Sequence, residues 1–298
     1  VFDQGEDLKM WKPENYGKKF YGPSTLRSGV EKSRNLMTVR VAQNIGINKL
    51  ADFAKKLNIY KNPEELLSLS LGSSETTLLN LTNAYCTFVN GGKLVVPKFI
   101  DRIQDSEGNT IFNSENRECE GCDSISYLNN SIPKIKNNFK QIMSKETAYQ
   151  IVSILEGTVK RGTAKNLKEL NLDLGGKTGT TNKNTDTWFI GFSSNYVIGV
   201  YVGYDEPSSL GKNETGARTA MPIFKSFVKK TVRKGDARPF KIPQGIKMLV
   251  VNSNTGERAS YNDESIIIEA FKEKDLINNK IQYGNVNYIS KENIYKFY

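Results

Sequence analysis

The sequence contains no histidine among its 298 residues. That absence removes the commonest general base, every histidine-based catalytic triad and the usual zinc ligands together. Any acid–base chemistry must fall to lysine, serine, tyrosine or carboxylates. Cysteine is scarce too, with three in the chain. Cys119 and Cys122 form a C-x-x-C in the polar stretch NRECEGCDS, without the second pair that would complete a zinc ribbon. They read as a local disulfide of an oxidising compartment, with a metal or redox role as the alternative. Cys86, in LTNAYCTFVNGG, reads as a small core residue of a helix. No apolar run approaches the ~20 residues that a membrane-spanning helix needs, and no signal peptide opens the chain. With no ligand cluster and no phosphate-cradling glycine loop, neither a metal nor a nucleotide cofactor is expected.

What is present fits a globular protein. Hydrophobic residues make up 38% of the chain, enough for one sizeable core or a large domain with a small appendix. The formal charge is +10, but the lysines come in ones and twos, as at Lys18, Lys55 and Lys229, rather than in a block with interleaved aromatics. Such a balance reads as a solvated surface, so nucleic acid is not the expected partner. The chain opens on Val1 rather than methionine, which reads as processing or as a piece of something longer.

Periodicity predicts a helical first third. Ser24 is a candidate N-cap before an apolar stripe begun by Leu26 and Val30. The triplet Ser33-Arg34-Asn35 interrupts that stripe. A second helix is expected from Leu36, a third from Lys49 to Leu57 behind an Asn48 cap, and another over Leu78 to Val89. A hairpin follows with Glu107-Gly108-Asn109 as its turn, then a polar insertion near 114–138 that reads as loop. Helix resumes from Ser144 to Val159. GKTGTT, DTWFIGF and YVIGVYVGY are three strands of an antiparallel meander, the third apolar on both alternations and therefore covered on both faces. A covering helix carries Pro222 near its first turn. Residues 1–238 thus form one α/β domain of the α+β type, with a helical lobe and an antiparallel sheet flanked by helices, and 239–298 a small β-rich appendix. A cleft between the lobes is the natural place for a site.

Two clusters carry chemistry. In GGKTGTTNKNTDTWFIGF, a lysine followed by Thr-Gly-Thr fills a core poorly but suits an edge strand on which an extended peptide docks. Gly179 clears space for a substrate backbone, Thr178 and Thr180 share one face with hydroxyls for a carboxylate, and Lys177 adds positive charge. The N–H of Thr180 is a candidate half of an oxyanion hole. The plainer alternative is a solvated lysine in an ordinary strand. In the second cluster, Ser33 relays a proton and Asn35 holds an amide, or Asn35 merely caps the next helix.

Together and in this order, SRN followed far downstream by KTG resembles the active-site serine penicillin-recognising enzymes, which comprise penicillin-binding proteins and class A-type β-lactamases. WKPENYGKKFYGPSTLRSGVEKSRNLMTVRVAQNIG, LGSSETTLLNLTNAYCTFVNGGKLVVPKFI, GTVKRGTAKNL, GGKTGTTNKNTDTWFIGF and IIIEAF are similar to the transpeptidase domain of bifunctional penicillin-binding proteins of the 1A type. The resemblance implies a β-lactamase/transpeptidase-like fold. It also implies a serine-type D-alanyl-D-alanine transpeptidase that crosslinks peptidoglycan stem peptides, is acylated by β-lactams and works with other cell-wall synthesis proteins. It implies a place in the cell envelope, on the periplasmic side of the inner membrane. Carried over, Ser33 and Lys177 are catalytic, while Asn35, Thr178, Gly179 and Thr180 bind substrate.

The pattern departs from the family at its nucleophile. A Ser-x-x-Lys motif should precede Ser33, and none lies in the 32 residues before it. Ser131 with Lys134, Ser209 with Lys212 and Ser226 with Lys229 match the spacing in the wrong order and are read as chance. The expectation is therefore the C-terminal part of a transpeptidase, with the nucleophile, a glycosyltransferase domain and a membrane anchor upstream. Competing readings are a non-catalytic wall-peptide binding module, an inactive gene fragment and, more weakly, a serine β-lactamase, for which no deacylating glutamate loop is seen.

Overall fold

The structure is a computed structural model that describes residues 11–114, 118–120, 122, 134–136 and 139–277. Its helices are α1 (Leu26–Glu31), α2 (Asn35–Ile45), α3 (Ile47–Lys56), α4 (Leu78–Val89), α5 (Lys145–Lys160), α6 (Ala220–Thr231) and α7 (Glu273–Ile277). Its strands are β1 (Arg102–Gln104), β2 (Thr110–Asn113), β3 (Cys119–Glu120), β4 (Lys134–Ile135), β5 (Gly175–Thr180), β6 (Asp186–Phe192), β7 (Val197–Gly203), β8 (Ile246–Asn252) and β9 (Ile266–Lys272). All strand pairs are antiparallel, and β5-β6-β7 form the central sheet in that order.

The sheet register sorts its side chains. Lys177 pairs with Ile190 and Ile190 with Gly199, so these three share one face. A side chain at Gly199 would collide with Thr82 and Leu78, which puts α4 over that face. Phe189 points the other way, its ring 4.9 Å from that of Phe224 on α6. Helices thus cover both faces of the sheet, as the doubly apolar third strand requires. Gly191 makes the second contact close, since a Cβ there would stand 2.5 Å from the Phe224 ring. The main core joins Phe189, Phe224, Met221, Val228, Leu174, Leu167 and Val159. A second cluster gathers Val152, Leu155 and Phe192 beneath Tyr85, Phe88 and Phe240.

Several boundaries differ from expectation for physical reasons. The cap of α1 is Thr25, not Ser24; its hydroxyl oxygen accepts from Ser28 N and its proton goes to the Ser253 carbonyl at 3.0 Å. Helix α3 begins at Ile47 because Gly46, at φ 99°, makes the whole reversal, leaving Asn48 inside the first turn. The described part of the polar insertion is not all loop: Cys119–Glu120 pairs with Lys134–Ile135, and a disulfide joins Cys119 to Cys122 with Cα atoms 5.7 Å apart. Cys86 is half-buried on α4.

Hairpin β8–β9 lies against the helical lobe. Gln150 of α5 donates to the Ala270 carbonyl at 2.9 Å, and Lys272 donates to Thr147 at 2.6 Å. Truncating Phe224, which has no solvent exposure, to alanine should cost roughly 3–5 kcal/mol in denaturant unfolding.

Candidate active site

The Ser33 turn is built by the end of α1. Ser33 N–H donates to the Val30 carbonyl at 3.1 Å and Arg34 N–H to the Gly29 carbonyl at 2.8 Å, the paired bonds of a Schellman closure. That closure puts its central residue in the left-handed region, and Ser33 stands there at φ 52°. Glycine is the usual occupant, and any side chain there costs about 1–2 kcal/mol. The hydroxyl is what the position gains in return. Lys177 Nζ donates to Ser33 Oγ at 2.7 Å, across 144 residues of sequence. Asn35 does not cap the next helix. It is the first residue of α2, and its Nδ2 donates to the Glu14 carbonyl at 2.8 Å, which leaves the amide oxygen as the atom that can accept from a ligand N–H. Arg34 turns elsewhere, stacked 4.0 Å over the Tyr21 ring and bonded to Ser24 at 2.6 Å.

Opposite lies β5, the edge strand of the sheet. Thr181 N–H donates to the Asp186 carbonyl, so by antiparallel alternation the backbone groups of Gly176, Thr178 and Thr180 point away from β6. The Gly176 carbonyl is taken by the Thr158 hydroxyl of α5 at 2.6 Å. The Thr178 carbonyl accepts from Lys177 Nζ at 2.9 Å. The N–H of Thr180 faces the open edge. Thr178 and Thr180 share a face, but it is the one turned toward α6, opposite to that of Lys177. Each is anchored there: Thr178 Oγ1 lies 3.2 Å from Thr163 Oγ1, and Thr180 Oγ1 accepts from Gly216 N at 3.0 Å. The Thr180 oxygen accepts this bond and keeps its own proton for another acceptor. Gly216 has no space for a side chain, since a Cβ would lie 2.5 Å from the Trp188 carbonyl and 2.6 Å from that of Gly179.

Asn35 and Lys177 through Thr180 line one groove of about 1190 Å³. The other walls were not singled out in the sequence. Trp188 and Tyr201, rings 4.8 Å apart, form an aromatic wall beside Gly179, and Trp11, Tyr60 and Tyr85 add to it. The signal available was the alternation in DTWFIGF, which puts Asp186, Trp188 and Ile190 on the face of Lys177. Burial pushes the Tyr85 phenol up to about 12. Burial likewise lowers the Lys177 ammonium to about 8, so it remains mostly charged at neutral pH. Of the three Ser-x-x-Lys matches, Ser131 lies outside the described residues. Ser209 and Ser226 are exposed on a loop and on α6, and neither lines the groove. Among the described residues no group of three histidine, cysteine or acidic side chains could hold a metal ion, and no helix is long and apolar enough to cross a membrane.

Two measurements check this geometry. Ser33→Gly should be about 1 kcal/mol more stable than Ser33→Ala in thermal unfolding, because both lose the hydroxyl and only alanine keeps the left-handed strain. NMR of lysine-labelled protein should show the Lys177 ammonium titrating near pH 8, well below the other lysines.

The sequence-family model for the penicillin binding protein transpeptidase domain matches residues 2–229. Penicillin-binding protein 1A of Rickettsia bellii is 43% identical over 92% of this chain, and that of Rickettsia conorii 42% over 97%. The chain spans only 34% and 38% of the length of those two relatives. The crystal structure of penicillin-binding protein 1A from Haemophilus influenzae superposes with a TM-score of 0.78 at 28% identity, covering 97% of this chain and 45% of that one. At 19% identity the PonA1 protein of Mycobacterium tuberculosis, solved in complex with penicillin V, shares the fold with a TM-score of 0.61 over 78% of this chain and 62% of its own. With a family model matched over most of its length and relatives this similar, the chain belongs to the penicillin-binding protein transpeptidase domain family.

Proposed function

We infer that the groove binds the D-alanyl-D-alanine end of a peptidoglycan stem peptide and serves a serine-type transpeptidase, which β-lactams acylate. The observation that carries this reading is the 2.7 Å bond from Lys177 to Ser33, which joins the two motifs at a groove lined by Lys177 and Asn35. In this assignment the terminal carboxylate sits at the open edge of β5, where Lys177 Nζ reaches the Thr178 carbonyl, and takes the lysine charge from one side of the strand and the hydroxyl protons of Thr178 and Thr180 from the other. Asn35 accepts from a peptide N–H through its amide oxygen, and the outward Thr180 N–H meets the oxyanion of the tetrahedral intermediate. The peptide lies along the open edge of β5 as an added strand, over the space left by Gly179. Ser33 passes a proton between Lys177 and the leaving amine.

This reading assigns the attacking hydroxyl and the base that activates it to none of the described residues. The Cys119–Cys122 disulfide supports a place on the oxidising, periplasmic side of the inner membrane. Stem peptides, β-lactams and other cell-wall synthesis proteins are the partners of this reading.

Calorimetric titration with an acetylated peptide ending in D-Ala-D-Ala tests it. Binding should saturate, and Lys177→Ala should weaken it at least about tenfold, the worth of a hydrogen bond to a charged group. Affinity should be full below pH 8 and fall as pH rises above it, because Lys177 then loses its proton. Equal binding of the C-terminal amide would remove the carboxylate from the proposal. Fluorescent penicillin should be held reversibly by this chain; a covalent label on Ser33 would make Ser33 the attacking group and overturn its relay role.

A further inference from the structure

The helix that presents Ser33 is six residues long, too short to hold itself in place. What holds it is a chain of charges. Arg27 is 5% exposed and Glu31 3%. Arg27 uses all of its donors. Nε and Nη2 meet the two carboxylate oxygens of Glu269 on β9, Nη1 donates to Glu31 at 3.3 Å and to the Ser153 carbonyl at 2.9 Å, and Nη2 also reaches Ser153 Oγ at 2.9 Å. Burial pulls the Arg27 guanidinium down, but Glu269 and Glu31 together more than offset this, and its pKa is raised.

Glu31 is held from its other side. Arg161, at the end of α5, donates to both its oxygens, at 3.1 and 2.6 Å. The Glu31 carbonyl accepts from Thr163 N at 3.1 Å, and Thr163 is the residue whose hydroxyl meets Thr178. Two glycines make room for this one glutamate. A Cβ on Gly157 would fall 1.8 Å from the Glu31 carboxylate, and one on Gly162 would fall 2.2 Å from its carbonyl. Buried ion pairs of this kind add little stability over well-packed apolar residues, because desolvation consumes most of the Coulombic gain. What they add is direction. Glu31 stands two residues before Ser33, on the helix whose last carbonyls close the Ser33 turn.

We propose that Glu31 is a positioning residue for the Ser33 hydroxyl: clamped by Arg27 and Arg161, and tied through Arg27 to Glu269, it fixes the rotation of α1 that sets Ser33 against Lys177. The C-terminal hairpin thereby acts on the groove through Glu269, which never touches it. This rests on Ser33 and Lys177 being the working pair of the proposed function, but its test does not need turnover.

The test uses the 298-residue chain with lysine-labelled NMR and circular dichroism. Glu269→Ala should keep the native far-ultraviolet spectrum yet raise the Lys177 midpoint by about one pH unit or more, as the Ser33 turn loosens and water reaches the ammonium. Glu269→Gln keeps one acceptor oxygen for Arg27 and should move the midpoint less than Glu269→Ala does, and Glu31→Gln, which removes an oxygen shared by Arg27 and Arg161, should behave as Glu269→Ala does. Val228→Ala, a core change outside the relay, should lower the melting temperature and leave the midpoint in place. A Glu269→Ala protein that melts earlier with an unmoved midpoint would overturn the proposal, as would a midpoint shift equal to that of Val228→Ala. Should Glu31→Gln fail to fold, the Glu269 pair decides, since that side chain is 19% exposed. Loss of peptide binding by the unaltered chain would instead count against the proposed function and leave this result standing.

Discussion

A lysine ammonium withdrawn from water and bonded to one serine is the constraint around which this molecule is arranged. Lys177 comes from the edge of a sheet and Ser33 from the end of a short helix, so their contact needs both lobes in place at once. Desolvation makes the lysine an easier proton donor than it would be in solution, and the serine hydroxyl gives that proton a direction. The backbone concedes strain for this. A serine occupies the left-handed position of a Schellman closure where glycine would sit at no cost, which is how strain is stored at working sites.

Much of this was legible in the sequence, where local chemistry decides. Helix α4 spans Leu78–Val89 as its apolar spacing and its Asn-Gly-Gly stop require, with Thr77 as its cap. The meander β5-β6-β7 follows from alternation and two short turns. The meeting of SRN with KTG was legible only through family resemblance, since nothing in the spacing of two motifs 144 residues apart reports distance.

What remained hidden was settled by partners far away in the chain. Ser24 is the better cap by type, yet Thr25 takes the place because its proton finds the carbonyl of Ser253. The side of β5 on which Thr178 and Thr180 lie could be paired but not oriented, because orientation depends on α4 and α6 choosing their faces. Arg27 and Glu269 are 242 residues apart, and neither stands out in a chain that is 25% charged. Thr163 hides in an ordinary RGTA turn, although its N–H and hydroxyl link the Ser33 helix to the strand of Lys177.

The aromatic wall has a consequence of its own. The chain has two tryptophans, Trp11 and Trp188, and both border the groove. All of its indole emission therefore originates within reach of whatever enters, so the protein carries an optical gauge of occupancy with no dye attached.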